Sequence, residues 1–176
     1  MIPVDFLIIE GRIREELGNL ARLYESLERK MLLQDSRQRR LKLQDEWLTR
    51  AVGSILHDFY SAIEKSFRVI ARDLDGKVPG GPEWHRELLA QMVIAIPSVR
   101  PPVISAELAD RLGELLGFRH VFRNVYGFHL AAEKIDLILG KLPQIYQDYQ
   151  REMNEFLQAM HSALEATDEA SSGLAD

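Results

Sequence analysis

Apolar residues recur at steps of three and four along most of this chain, the spacing that aligns one face of an α-helix. Stripes of this kind cover residues 6–31, 48–74, 108–125 and 135–160, and each predicts one long helix with its apolar face inward. No segment alternates between apolar and polar residues with the period of two that is typical of a half-buried strand. The pattern therefore predicts an all-α protein, an up-and-down four-helix bundle with one extra short helix.

Shorter signals mark the beginnings of helices and the segments between them. Pro82 suits a first helical turn, where its missing N–H would be unbonded anyway, so the extra short helix is expected to begin there. Ser105 is the predicted N-cap of the helix over 108–125. A solvated turn, rather than an RNA-binding patch, is predicted where four basic residues cluster: Arg37, Arg39, Arg40 and Lys42.

The composition is that of an ordinary globular domain, with 176 residues, of which 46% are hydrophobic and 28% charged. We expect one domain over residues 1–164 and a disordered acidic tail over 165–176. With no cysteine, the chain cannot form disulfides, thiolate metal sites or a cysteine nucleophile. Because neither a signal peptide nor a membrane-spanning stretch is recognisable, we expect a cytoplasmic protein without membrane association.

The net charge of -5 argues against attraction of the whole surface to nucleic acid, so RNA binding would depend on a local basic patch. The sequence contains no Glu-x-x-His pair, no HExxH, no CxxC and no glycine-rich phosphate loop. We therefore expect neither a metal nor a cofactor.

Polar side chains crowd the end of the helix over 108–125, where the apolar stripe should be buried. Arg119 and Tyr126 fall beside the stripe, whereas His120, Arg123 and Asn124 lie along one flank. Arg119, Arg123 and Tyr126 are spaced i, i+4, i+7, so their side chains can converge on one ligand, and a phosphate suits the planar fork of arginine. The alternative is structural, with the arginine paired to an acidic residue of a neighbouring helix and the tyrosine hydroxyl bonded to a carbonyl.

The order glycine, apolar residue, arginine, four residues, histidine, any residue, tyrosine resembles the HepT-like branch of the HEPN superfamily. This chain supplies Gly117, Phe118 and Arg119, then Asn124 where the histidine is expected, then Tyr126. The segment Trp-His-Arg-Glu-Leu-Leu over 84–89 also resembles a HepT-like subgroup.

This resemblance implies a HEPN-like helical homodimer that acts as the toxin of a toxin–antitoxin system, a metal-independent endoribonuclease cutting tRNA or mRNA. Arg119 and Arg123 would bind RNA phosphates, and the motif histidine would accept the proton of the attacking ribose 2′-hydroxyl. The usual partner is a minimal nucleotidyltransferase antitoxin, which would silence the toxin by AMPylation of Tyr126.

Asn124 departs from this motif in a way that matters for catalysis. An amide can orient a hydroxyl or a phosphate oxygen but cannot act as a general base. His120, one helical turn earlier, or His129 in a second register could supply the base instead. The alternative is that His120 and His129 are ordinary histidines on the flank of the helix, without a catalytic role. Cleavage that survives His120→Ala would exclude His120 as the base.

Two other histidines are interpreted as structural. His57 lies inside the second long helix, where solvent exposure or a packing contact is expected, and His85 is expected to pack beside Trp84.

Three functions remain open from the sequence: an active ribonuclease toxin, a catalytically weakened HEPN protein that still binds a nucleotidyltransferase, and a structural helical adaptor.

Overall fold

The computed structural model describes the backbone of residues 2–124 and 131–172 and the side chains of 2–123 and 131–166. These residues form helices and no strand, which confirms the all-α prediction. The bundle carries two short helices, α2 and α4, rather than one. The helices are α1 (Val4–Arg29), α2 (Ser36–Lys42), α3 (Glu46–Asp73), α4 (Trp84–Val93), α5 (Ala106–Asn124) and α6 (Ala132–Ser172).

Side-chain caps fix where several helices begin. The Asp45 carboxylate accepts hydrogen bonds from the backbone N–H groups of Trp47 at 2.9 Å and Leu48 at 3.3 Å, and α3 starts there. The Ser105 hydroxyl accepts a bond from the Leu108 N–H at 3.2 Å, as predicted for the N-terminus of α5. Gly76, with φ of +67°, follows the end of α3 in a conformation that favours glycine.

Helix α3 is the central element, since it contacts α1, α4, α5 and α6. Most of its apolar stripe is buried as predicted, and so are most of the described positions in the stripes of α1, α5 and α6. Val125, the last position of the α5 stripe, lies outside the described residues. Met31, the last position of the first predicted stripe, lies beyond α1 and is 52% exposed, so its inward placement was wrong. Burial of these stripes is the main source of bundle stability.

The basic cluster between α1 and α3 is not a solvated turn. Residues 36–42 form α2, and its Arg39 is buried. The guanidinium of Arg39 donates to the Asp136 carboxylate at 2.5 Å, and the exposed Arg40 donates to the other oxygen at 2.9 Å. The buried charge of Arg39, which the sequence pattern predicted to be exposed to solvent, is therefore compensated by a carboxylate of α6.

The Asp136 pair predicts an acid-sensitive part of the stability. Burial disfavours the charged carboxylate, but the bonds from Arg39 and Arg40 outweigh burial and lower the pKa of Asp136 below its ordinary value of 3.8. Its stabilising contribution is therefore complete above that value and is lost as the pH falls through the lower pKa of the folded state. We expect the melting-temperature gap between the native chain and Asp136→Asn to shrink as the pH falls from about 7 to about 3. Asp110→Asn, which changes an exposed carboxylate on α5, is the control. A melting-temperature gap between the native chain and Asp136→Asn that stays constant with pH would contradict the prediction.

Helix α6 continues to Ser172, beyond the predicted stripe over 135–160, and Pro143 lies inside it. The domain boundary at 164 stays a prediction. In the described part of the chain, no helix has the length and apolar character needed to cross a membrane.

Candidate functional site

Arg119 lies on the face of α5 that packs against α3, and its side chain is only 11% exposed. Its guanidinium donates to Glu64 of α3, at 3.2 Å to Oε1 and 3.4 Å to Oε2, and to the Ser61 hydroxyl at 3.4 Å. The guanidinium carbon lies 5.9 Å from the centre of the Tyr60 ring. The ion pair with a neighbouring helix, one of the two alternatives from the sequence, is therefore present.

These contacts do not saturate the guanidinium. Arginine offers several N–H donors in a planar fork, and Glu64 and Ser61 use only part of them. Bonds of 3.2–3.4 Å are also long for a charge-assisted contact, which is normally shorter than 3 Å or so. Arg119 can therefore hold its position through Glu64 and still donate to a phosphate oxygen.

His85, near the start of α4, completes a polar cluster with Arg119 and Glu64. Its Nδ1 lies 2.5 Å from Glu64 Oε2 and 3.3 Å from Arg119 Nη1. Its ring stacks on Trp84 at 3.6 Å between centroids, as expected from the sequence, and Arg68 lies 5.3 Å from the Trp84 ring. Helices α3, α4 and α5 each contribute one member, and all three pairs of these helices are in contact.

A cleft of about 320 Å³ opens beside this cluster between α4 and α5. His85 and Arg86 line it from α4, and Gly117 and His120 line it from α5. His120 is exposed, so the structure brings this candidate base to the same cleft as His85 rather than to the buried side of α5.

His57 lies one turn before Ser61 on α3, on the side that faces Phe122. The two rings are 5.6 Å apart, and His57 is half-buried. Burial, together with the positive charge of Arg119, lowers the pKa of His57, so the imidazole is neutral near neutral pH. Its Nδ1 is buried and has no hydrogen-bond partner among the described residues. The expected packing contact is therefore present.

Arg123 is exposed on α5, one turn after Arg119. Asn124 is the last residue of α5, but its side chain lies outside the described residues, as do Tyr126 and His129. Convergence of Arg119, Arg123 and Tyr126 on one ligand stays a prediction.

Sequence reasoning missed Glu64, the member of the cluster on α3, and Ser61, which also accepts a bond from Arg119. A signal for Glu64 was present, because a carboxylate stands at position 64 inside the apolar stripe of α3, between Phe59 and Ile70. Such a residue is rarely buried unless it is paired, and Glu64 is 6% exposed. Among the described residues, no group of three or more His, Asp or Glu side chains could hold a metal ion.

No curated protein and no solved structure shows significant similarity to this chain. A family model described as HepT-like protein matches residues 51–160, which is more than half of the chain. The matched region runs from α3 into α6 and includes Glu64, His85 and Arg119. The chain belongs to the HepT-like family.

Proposed function

We propose that this protein is the toxin of a toxin–antitoxin system, a metal-independent endoribonuclease that cuts tRNA or mRNA. The observation that carries the proposal is the position of Arg119, held by Glu64 and next to His85, which lines an open cleft, inside the region that the family model matches. An arginine placed in this way can bind the scissile phosphate without reorganisation, which is the main requirement for stabilising charge in the transition state.

In the proposed reaction, the guanidinium of Arg119 binds the non-bridging oxygens of the phosphate. The adjacent ribose 2′-hydroxyl attacks phosphorus, and the 5′-oxygen of the next nucleotide leaves. Arg123 is exposed one turn further along α5, so it can contact a neighbouring phosphate. Such local basic contacts are needed because the chain as a whole is acidic, with a net charge of -5.

The proposed partners are a second copy of this chain and a minimal nucleotidyltransferase antitoxin that AMPylates Tyr126. An open apolar groove of about 300 Å³ between α5 and α6 supports a protein interface near the motif. Val121 and Leu137 line this groove and are 44% and 65% exposed. Exposed apolar residues that gather in this way are typical of interaction surfaces.

Asn124 favours a second candidate, a catalytically weakened HEPN protein that binds the nucleotidyltransferase without cutting RNA. An amide at the motif position lacks the basicity that proton abstraction requires. This candidate keeps the fold, the partner and Tyr126, but not the reaction.

Cleavage of total tRNA in EDTA by the purified chain, beside Asn124→His, tests the two candidates. We expect the native chain to cut, because other groups at the cleft can accept a proton. If only Asn124→His cuts, this member is the weakened partner. Addition of an adenylyl mass to the peptide containing Tyr126, and not to Tyr126→Phe, would support the nucleotidyltransferase partnership. A native chain and an Asn124→His variant that both stay inactive would overturn the ribonuclease proposal.

A further inference from the structure

We propose that His85, oriented by Glu64, is the general base of RNA cleavage in this protein, in the role that Asn124 cannot fill. The inference rests on the proposed ribonuclease function and names the group that takes the proton. It follows from the position of His85 between a buried carboxylate, an arginine and an open cleft.

The carboxylate of Glu64 fixes the tautomer of His85. Glu64 accepts bonds from Arg119, and its Oε2 lies 2.5 Å from Nδ1 of His85. A carboxylate that accepts here requires the proton to be on Nδ1. Arg119 Nη1, at 3.3 Å from the same nitrogen, carries only donors and so cannot accept that proton. The lone pair of His85 therefore lies on Nε2.

The imidazole is held firmly but remains accessible. Trp84 stacks on its ring at 3.6 Å, which together with Glu64 restricts rotation. Its side chain is 20% exposed and lines the cleft of about 320 Å³, a volume at the lower end of small-molecule sites. A nucleotide bound in this cleft would therefore lie beside the oriented imidazole of His85.

The phosphate-binding group lies next to this base. Arg119 Nη1 and His85 Nδ1 are 3.3 Å apart, so a phosphate bound by Arg119 is within one nucleotide of the imidazole. This juxtaposition of an arginine with a carboxylate–histidine pair suits attack by a neighbouring 2′-hydroxyl. The guanidinium can donate to the charged phosphate oxygens, and the imidazole can accept the proton of the hydroxyl.

The proposed step is a transesterification at phosphorus. The 2′-oxygen forms a bond to phosphorus, its proton passes to His85 Nε2, and the bond between phosphorus and the 5′-oxygen breaks. The leaving 5′-oxygen takes a proton from water in the open cleft, and His85 returns its proton to solvent. The products are a 2′,3′-cyclic phosphate end and a 5′-hydroxyl end, with no metal or oxidant consumed.

A matched control exists elsewhere in the fold. His161 of α6 also pairs with a carboxylate, with Nε2 at 2.8 Å from Glu10 Oε2, and its ring packs against Phe6. This second carboxylate–histidine pair joins α6 to α1, whereas the Glu64–His85 pair joins α3 to α4 beside Arg119.

The test compares tRNA cleavage in EDTA by the native chain, His85→Asn and His161→Asn. The asparagine side chain keeps a donor toward the carboxylate but removes the basic nitrogen, so His85→Asn should lower the cleavage rate by roughly 100- to 10,000-fold. His161→Asn should leave the rate unchanged. His85→Gly with added imidazole should recover cleavage, because the free base can occupy the vacated space beside Trp84.

The outcomes separate this inference from the ribonuclease function itself. If the native chain cuts and His85→Asn cuts equally well, the role of His85 is overturned while the ribonuclease stands. His120→Ala and His129→Ala in the same assay then test the two other candidate bases. If the native chain does not cut, the ribonuclease function fails and the assignment of His85 fails with it.

Discussion

Replacement of Arg119 by alanine is expected to lower RNA cleavage by roughly 100- to 1,000-fold, the usual cost of removing one pre-oriented donor to a transition-state oxyanion. Arg119 is held in place before substrate binds, because Glu64 and Ser61 accept its bonds and its side chain is 11% exposed. The loss should therefore fall on the rate of the chemical step more than on RNA affinity. Single-turnover cleavage of tRNA in EDTA measures that rate directly.

Arg111 provides a control on the same helix. It pairs with Asp148 of α6 at 2.7 Å and its side chain is 31% exposed, so Arg111→Ala removes an arginine from α5 without touching the cluster. The cleavage rate of Arg111→Ala should equal that of the native chain. Arg119→Lys should rescue little, since a point charge cannot reproduce the planar fork. Full activity of a folded Arg119→Ala would show that the Arg119–Glu64 pair is structural only.

Replacement of Asp75 by alanine is expected to lower the free energy of unfolding by about 3–5 kcal/mol, because it leaves a buried charge without its partner. The Arg100 side chain is 0% exposed, and it donates to both oxygens of Asp75, at 2.6 and 2.7 Å. Its remaining donors reach backbone carbonyls of Gln91, Ile94 and Pro101. Arg100 thus fastens the segment between α4 and α5 to the end of α3, and it cannot reach water when Asp75 is lost.

Asp73 is the matched control for this stability effect. It lies two residues earlier, at the end of α3, and pairs with Arg12 and Arg72, whose side chains are 52% and 56% exposed. Asp73→Ala should cost less than about 1 kcal/mol, as exposed pairs do. Urea denaturation of both variants checks the difference. Equal losses would contradict the prediction, and the double variant Asp75→Leu, Arg100→Met should recover most of the stability.

The fold was predictable from the sequence wherever one face of a helix is continuously apolar. The stripes of α1, α3, α5 and α6 predicted those helices within a few residues, except for the end of α6 at Ser172, because burial of an apolar face decides their placement. Helix α2 was not predictable in this way, since its buried residue is Arg39 and its partner Asp136 lies 97 residues further along the chain. A charge pattern read locally cannot show a pairing at that distance.

The candidate site was predictable in part. Arg119 stood out because a charged side chain beside an apolar stripe needs either a partner or a ligand. Its contact with Glu64 was not predictable, because the relative rotation of α3 and α5 depends on packing along both helices. The pairing of His85 with Glu64 also escaped the sequence, where His85 showed only its neighbour Trp84.

The pairing of Arg39 with Asp136 also sets an order of events during synthesis. The ribosome releases α1, α2 and α3 long before residue 136, so α1 and α3 can pack together while the charge on α2 still has no partner. Arg119 likewise emerges after Glu64 and His85, and α6 follows last. A nascent chain therefore cannot assemble the cluster of Glu64, His85 and Arg119 before residue 119 has emerged, and it cannot pair Arg39 with Asp136 before residue 136 has emerged.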